Sequence, residues 1–556
     1  MLDQADDIRR TRSTRKGPRL DFQDHLADLE AAGLVERIDT PINKDTELHP
    51  LVRWQFVGGV PEDKRRAFVF TNVTDTKGRK YDIPVVVGAL SASPEIYAIG
   101  MGRKVEEIGD AWMQAIDHPI APVVVASAPC QEVVITGDEL KAPDGLAALP
   151  VPVSTPGFDS APYLTATLCV TRDPESGVQN MGTYRAALKA ADRLAVRMVA
   201  REATGAGGFR HWLKYRERGE KMPIAIVIGA APVVVFTGPQ KLAVDLDELG
   251  VAGALAGEPI RIVKCKTVDL HVPADAEIVI EGLIDCQKLE PEAPFGESNG
   301  YVALEAFNMP MQVTAITRKK KPVFCSIISQ VTPSESSVIK KVAYEPLFLA
   351  HLRDRLAIKG VIRVAMHERL TNLRPVIFVQ IKAETPRTEV WRALHGAATL
   401  MSNCGKIVVA VSDDIDPQSV DAVLWSLAYR SNPVEDVQLV PYRGGVQGAQ
   451  YGPEQTDSSM LIDATRKRPM APLALPTREH MEHARALWER LGLHPLTVTS
   501  PWHGYHLGDW TETWEKFAQR AAAGDWELSG RETLARQRGG VMPETSVRAV
   551  EKPDRS

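Results

Sequence analysis

Residues 291–301 read Pro-Glu-Ala-Pro-Phe-Gly-Glu-Ser-Asn-Gly-Tyr. They set two carboxylates, Glu292 and Glu297, five positions apart, with Pro294 and Gly296 between them. Pro and Gly disfavour a helix interior, so the stretch reads as a turn or a strand end. A rigid turn can hold two carboxylates in different environments. That separates their acidities and yields an acid and a base from one side-chain type. Spacing alone fits a surface turn with solvated glutamates equally well. Upstream, Asn180-Met-Gly-Thr183-Tyr184-Arg185 offers an amide oxygen and a permanent cation whose planar donor fork suits a carboxylate. By themselves these are also a turn Asn and a surface Arg. His211 follows in Gly-Gly-Phe-Arg-His, and Glu258 in Leu-Ala-Gly-Glu-Pro-Ile. Asn180, His211 and Glu258 together would make a mixed nitrogen and oxygen donor set, which suits manganese or magnesium better than a soft metal. Their plainer readings are a turn residue, a packed imidazole and a helix-terminal charge. Residues 412–417, Ser-Asp-Asp-Ile-Asp-Pro, lack the Gly and the downstream Glu of an EF-hand. They read as a strand-to-helix turn, with Asp416 near a helix start.

These residues need elements to hold them. A chain of 556 residues, 44% hydrophobic and 25% charged, can bury a sizeable core and is expected to form two to four domains. Its net charge of -5 gives no electrostatic case for nucleic acid. Cys130, Cys169, Cys265, Cys286, Cys325 and Cys404 are scattered without CxxC spacing, which suggests neither a zinc site nor a disulfide framework and fits a reducing cytoplasm. The first 18 residues are polar and arginine-rich without an apolar core. They read as a mobile arm or oligomer contact, not a secretory signal. No run of about 18 apolar residues predicts a membrane span.

Asp21 reads as an N-cap, with Phe22, Leu26 and Leu29 at helical spacing and Gly33 as the stop. Strands are expected at 34–38, 67–72 and 84–90, and helix from 95 to 116. The next part reads as mostly β, a sandwich or barrel, with strands at 163–171, 224–228, 261–268, 277–284, 311–317 and 323–328. Helices are expected within it at 186–201 and 209–218. A long helix at 336–356 leads to alternating strands and helices at 360–365, 375–381, 389–401, 406–411 and 420–430. A further helix is expected at 480–491. The closely spaced Trp502, Trp510, Trp514 and Trp526 read as packing for a C-terminal helix.

The set as a whole runs Asn180 to Arg185, His211, 223–229 (Pro-Ile-Ala-Ile-Val-Ile-Gly), Gly257-Glu-Pro259, Glu292 to Tyr301, Asp413 to Asp416, Trp425 to Arg430 and Ile462-Asp-Ala-Thr465. In this order it resembles the UbiD family of decarboxylases, which use prenylated FMN, from about residue 20 to about residue 466. The resemblance implies a mixed α/β (α+β) fold. Its parts are an arm at 1–20, an N-terminal α/β domain at 21–118 and a central split β-barrel resembling flavin reductases at 119–333. A linker helix at 334–356, a C-terminal α/β oligomerisation domain at 357–470 and a helical extension at 471–556 follow. It implies that Arg185, Glu292 and Glu297 form the catalytic network. Asn180, His211 and Glu258 would hold Mn2+ (or Mg2+) against the cofactor phosphate, with K+ nearby. Thr183, Tyr184, Arg185, Arg210, His211, Ala231 and Pro232 would meet the flavin.

The activity implied is non-oxidative decarboxylation of an aromatic or α,β-unsaturated carboxylic acid. It proceeds through a covalent flavin–substrate adduct that Glu297 protonates after CO2 leaves, with Arg185 steering the substrate carboxylate. A carboxylated aryl-CoA thioester as substrate, the carboxylase direction, and a non-catalytic flavin-binding subunit are the alternatives. Implied partners are a flavin prenyltransferase as cofactor supplier and further copies of the chain, from dimer to hexamer. Three positions depart from the family pattern, one of them Leu461 where the family has a Gly. Ala293 replaces a Gly, which is tolerable only at negative φ. Ser459 replaces a Lys near the phosphate, a role open to Lys340 or Lys341.

Overall fold

The computed structural model describes residues 17–141, 143–198, 206–240, 242, 246–367, 375–401, 404–443, 457–496 and 508–537. The chain divides into two units: 1–413 with 431–464, and 414–430 with 465–556.

The first unit opens with α1 (Phe22–Ala31). The Asp21 carboxylate accepts from the amides of Gln23 and Asp24, as the sequence predicts, and Phe22 and Leu29 are fully buried. Strand β1 (Val35–Ile38) pairs parallel with β2 (Ala67–Phe70), which pairs antiparallel with β3 (Val85–Val87). Helices α2 (Pro94–Met101) and α3 (Ile108–Asp117) follow.

A large antiparallel sheet comes next. Its strands are β4 (Val133–Thr136), β5 (Tyr163–Leu164), β6 (Thr167–Arg172), β7 (Gln179–Gly182), β8 (Ala186–Ala190), β9 (Arg193–Val196), β10 (Lys221–Ile228), β11 (Ile278–Asp285), β12 (Glu290–Glu292) and β13 (Ala306–Arg318). The order is β7-β6-β10-β11-β13-β9-β8-β5, and the pairing does not close into a ring among the described residues. Helix α4 (Gly207–Arg218) precedes β10, and α5 (Glu248–Ala256) follows it. Strand β13 is the organiser: along its length it pairs in succession with β12, β9 and β4, and with β11 as well. This path sets the Glu292 end of β12 and the β8–β9 hairpin into one sheet.

The hairpin corrects the helix expected at 186–201. Alanine is the strongest helix former, and tertiary packing overrides that preference here. Ala186, Ala187, Leu194, Ala195 and Val196 are all fully buried, so small residues are used where both faces of the strands are covered. The turn is fixed at Asp192, whose carbonyl accepts from the Val313 amide and the Gln312 side chain.

Strand β14 (Phe324–Ser326) corrects a second expectation. It pairs parallel with β3 in the N-terminal sheet and not with the large sheet. An apolar run marks a buried strand without saying which sheet buries it.

Helix α6 (Glu335–Ala350) starts at Ser334, whose hydroxyl accepts from the Ser337 amide. Beyond it lie β15 (Val361–Met366), β16 (Val376–Ile381), α7 (Arg387–Thr399), β17 (Ile407–Ser412), β18 (Val437–Arg443) and β19 (Asp457–Ala464), in the sheet order β15-β16-β17-β19-β18. The β16–α7–β17 crossover joins parallel strands.

The second unit contains α8 (Val420–Arg430), whose terminal Arg430 makes two 2.7 Å hydrogen bonds to Asp414 and lies over the Trp425 ring. The Asp416 carboxylate accepts from the Gln418 amide in the turn before it. The unit also holds α9 (Arg478–Arg490), α10 (Glu512–Ala522) and α11 (Trp526–Leu534), none of which buries a residue. Trp510 and Trp514 pack on each other at 5.5 Å, Trp526 is exposed, and Trp502 lies outside the described residues. No described helix is long and apolar enough to cross a membrane.

Candidate active site

Arg185 leaves the β7–β8 connection and meets both carboxylates. Its Nε and Nη2 donate to the two oxygens of Glu292 at 2.8 and 2.9 Å, a bidentate pair, and its Nη1 donates to Glu297 Oε1. Glu292 is fully buried and accepts a third hydrogen bond from Asn308 Nδ2 at 3.0 Å. Burial works against the Arg185 charge. The Glu292 hydrogen bonds and the two carboxylate charges outweigh it, so the Arg185 pKa is raised. The guanidinium stacks 4.5 Å from the Phe295 ring centre and 5.8 Å from that of Tyr163, which pack on each other. A second cation, Arg197, stands 3.2 Å from Glu297.

The turn between the carboxylates is held from behind by Asp159, whose Oδ1 accepts from the Gly296 amide at 2.8 Å and Oδ2 from the Thr155 amide at 2.7 Å. Gly296 is required, because a Cβ there would come within 2.2 Å of Thr155 Oγ1. Ala293 has φ +84°, which corrects the expectation of a negative φ. Its methyl is tolerated because it fills an apolar cluster with Tyr163, Ala187, Ala195 and Phe295.

A second group gathers at the start of α4, which has no side-chain cap. A Cβ on Gly207 would overlap Asn180 Oδ1 at 1.8 Å. The Tyr184 hydroxyl accepts from the Gly208 amide at 3.3 Å and from Asn180 Nδ2 at 3.4 Å, and burial pushes this phenol up to about 12. His211 Nδ1 is hydrogen-bonded to Thr171 Oγ1 at 2.9 Å. Burial lowers its pKa to about 4, so the ring is neutral at pH 7, the form that ligates metals. The carboxylate beside Asn180 is Glu248, which accepts from the Met181 amide at 3.1 Å and is pushed up by burial to about 7. Glu258 is exposed beyond the other end of α5, a nine-residue helix that begins at Glu248 and spans about 12 Å. The structure therefore does not bring Glu258 to Asn180 and His211.

The Thr183 amide donates to the Gly238 carbonyl at 3.4 Å. Arg210 is exposed on the first turn of α4. Ala231 and Pro232 are buried, with Pro232 against Gly100 of α2. Ser459 donates to the Gly405 carbonyl inside the C-terminal sheet, and Lys340 and Lys341 lie on α6.

Sequence reasoning missed Glu248, Asp159, Asn308 and Arg197. Asp247-Glu248 ahead of an apolar run was a legible helix start, since Asp247 caps α5.

Three family models match in succession. They are the N-terminal domain of 3-octaprenyl-4-hydroxybenzoate carboxy-lyase over residues 26–116, its Rift-related domain over 122–331 and its C-terminal domain over 337–464. HmfF, a UbiD-class enzyme of Pelotomaculum thermopropionicum solved with FMN, is 30% identical, covers 82% of this chain and 95% of its own, and superposes with TM-score 0.71. The chain belongs to the UbiD family. Family members are carboxy-lyases, and so is this chain. An evolved dimeric HmfF solved with prFMN is 28% identical over 82% of this UbiD chain and 97% of its own, at TM-score 0.70. The 3,4-dihydroxybenzoic acid decarboxylase of Klebsiella pneumoniae shares the fold at 22% identity, covering 84% of this chain and 99% of its own, at TM-score 0.71.

Proposed function

We propose that this UbiD protein is a prenylated-FMN-dependent decarboxylase of an aromatic carboxylic acid. The observation that carries the reading is Arg185 bridging Glu292 and Glu297 in one buried cluster. The HmfF structures with FMN and prFMN support the cofactor. So does the start of α4, where a helix N-terminus without a side-chain cap lies beside Asn180, the kind of end that favours an anion such as a phosphate. Asn180, His211 and Glu248 would hold a divalent cation there, a nitrogen and oxygen set of the manganese or magnesium type, with Glu248 in the place first assigned to Glu258.

Bound prenylated FMN would supply the electron sink that no side chain offers to a departing aryl carboxylate. The protein supplies position and a proton. Arg185 pairs bidentately with Glu292 and holds Glu297 in place. Tyr163 and Phe295 cover the guanidinium and keep water from it. Glu297 gives its proton to the carbon that loses CO2, and the resulting carboxylate is stabilised by Arg185 and Arg197.

Anaerobic reconstitution with prenylated FMN, followed by mass-spectrometric screening of aromatic acids and their CoA esters, tests the reading. Loss of CO2 from free aromatic acids is expected. Loss from the CoA esters alone moves the substrate class, and loss from none overturns the proposal.

A further inference from the structure

Arg197 sits directly across the β8–β9 hairpin from Arg185. Its amide donates to the Arg185 carbonyl at 3.0 Å, one step beyond the Ala186–Val196 pair. Opposed residues of an antiparallel pair share a face, so both guanidiniums reach the same carboxylate. They are not equally engaged. Each nitrogen of Arg185 already faces a carboxylate oxygen. Arg197 Nη1 lies 3.2 Å from Glu297 Oε1, yet it is buried and makes no hydrogen bond, because its N–H groups are not aligned on that oxygen. The Arg197 side chain is 24% exposed against 8% for Arg185, so atoms of it other than the buried Nη1 reach solvent.

The charges say what that donor is for. Two guanidiniums and two carboxylates balance only while Glu297 is ionised. When Glu297 holds the proton it must deliver, the cluster carries one uncompensated positive charge. Arg197, whose one ion pair is with Glu297 while Glu292 acts on it from farther off, is the residue that loses its partner.

We propose that Arg197 receives the substrate's carboxylate while Glu297 is protonated, and thereby selects anionic over neutral aromatic substrates. This rests on the decarboxylase reading and replaces Arg185 as the group that steers the carboxylate. A carboxylate oxygen on the Arg197 fork lies about 3 Å from the guanidinium nitrogens. That brings the carbon losing CO2 within reach of Glu297.

The test uses the full chain loaded with unprenylated FMN, titrated with benzoates and with the matching neutral benzamides, and read by flavin absorbance. Arg197→Met is expected to weaken benzoate binding about tenfold or more, the worth of one charge-assisted hydrogen bond. Benzamide binding stays unchanged, and Arg197→Lys recovers part of the benzoate loss. Equal losses for both ligand sets would mean lost packing and overturn the proposal. Wild-type affinities with a changed pH profile of kcat would make Arg197 a partner of Glu297 only, and also overturn it. CO2 release by the wild type, measured separately on the prenylated enzyme, shows whether the underlying functional reading stands when the binding result fails.

Discussion

Ala293, between Glu292 and Pro294, shows how a single residue settles what a motif leaves open. A left-handed φ costs an L-residue about 1–2 kcal/mol, and Ala293 adopts +84°. Its methyl is 6% exposed, so burying it returns about 0.8 kcal/mol. Ala293→Gly relieves the strain, loses that contact and loosens the unfolded chain by about 0.4–1 kcal/mol. These nearly cancel, so the melting temperature is expected to stay close to wild type. Ala293→Val forces a β-branched side chain into the same φ and overfills the cluster, and roughly 2 kcal/mol or more of destabilisation is expected. A valine variant as stable as wild type would contradict the positive φ. Arg185, Glu292 and Glu297 were legible in the sequence because their order and types form a specific set. The sign of the Ala293 φ was not legible, because it depends on Tyr163, Ala187, Ala195 and Phe295, which only the fold brings together.

At the level of elements, α4 and α6 each carry a prediction. At the N-terminus of α4, Asn180 fills the space that a side chain at position 207 would take. Gly207→Ala would drive a methyl into Asn180. The expected result is loss of bound metal and flavin in the purified protein with the circular-dichroism spectrum unchanged; undiminished cofactor content would count against a phosphate site there. Helix α6 begins at Glu335, which is fully buried and accepts from the Ile328 amide at 2.8 Å. Burial raises its pKa from 4.5 to about 7. The folded state therefore binds this proton more tightly than the unfolded chain. The associated stability is present below about pH 4.5 and is lost as pH rises to about 7, an amount of about 3 kcal/mol. Glu335→Gln is expected to melt higher than wild type at pH 8, with the advantage shrinking at pH 5. An advantage equal at both pH values would contradict the shift. Capped helices such as α1 were readable from local signals. The β8–β9 hairpin was not, since its alanines favour a helix until burial on both faces decides otherwise, and Arg197 was hidden with it.

For the whole molecule, membership of the UbiD family was legible in the sequence and the pairing of its strands was not. Arg185 and Glu292 are 107 positions apart, and Arg185 and Glu297 are 112. What joins them is the path β12–β13–β9–β8, set by the long strand β13. No local pattern announces which strands β13 will pair with, just as nothing in 324–326 announced the N-terminal sheet. Glu258 stands at the far end of α5 for a related reason: a Gly-Glu-Pro motif at a helix end is visible in sequence, while the carboxylate that accepts from the Met181 amide is set by how α5 packs beside β7. We propose that this assembled network delivers a proton from Glu297. The decisive measurement compares CO2 release from the same aromatic acid by the prenylated-FMN-reconstituted wild type and Glu297→Gln, at equal bound flavin. A fall of about 10²–10⁴-fold with flavin content unchanged is the predicted result. CO2 release by Glu297→Gln at the wild-type rate would contradict it.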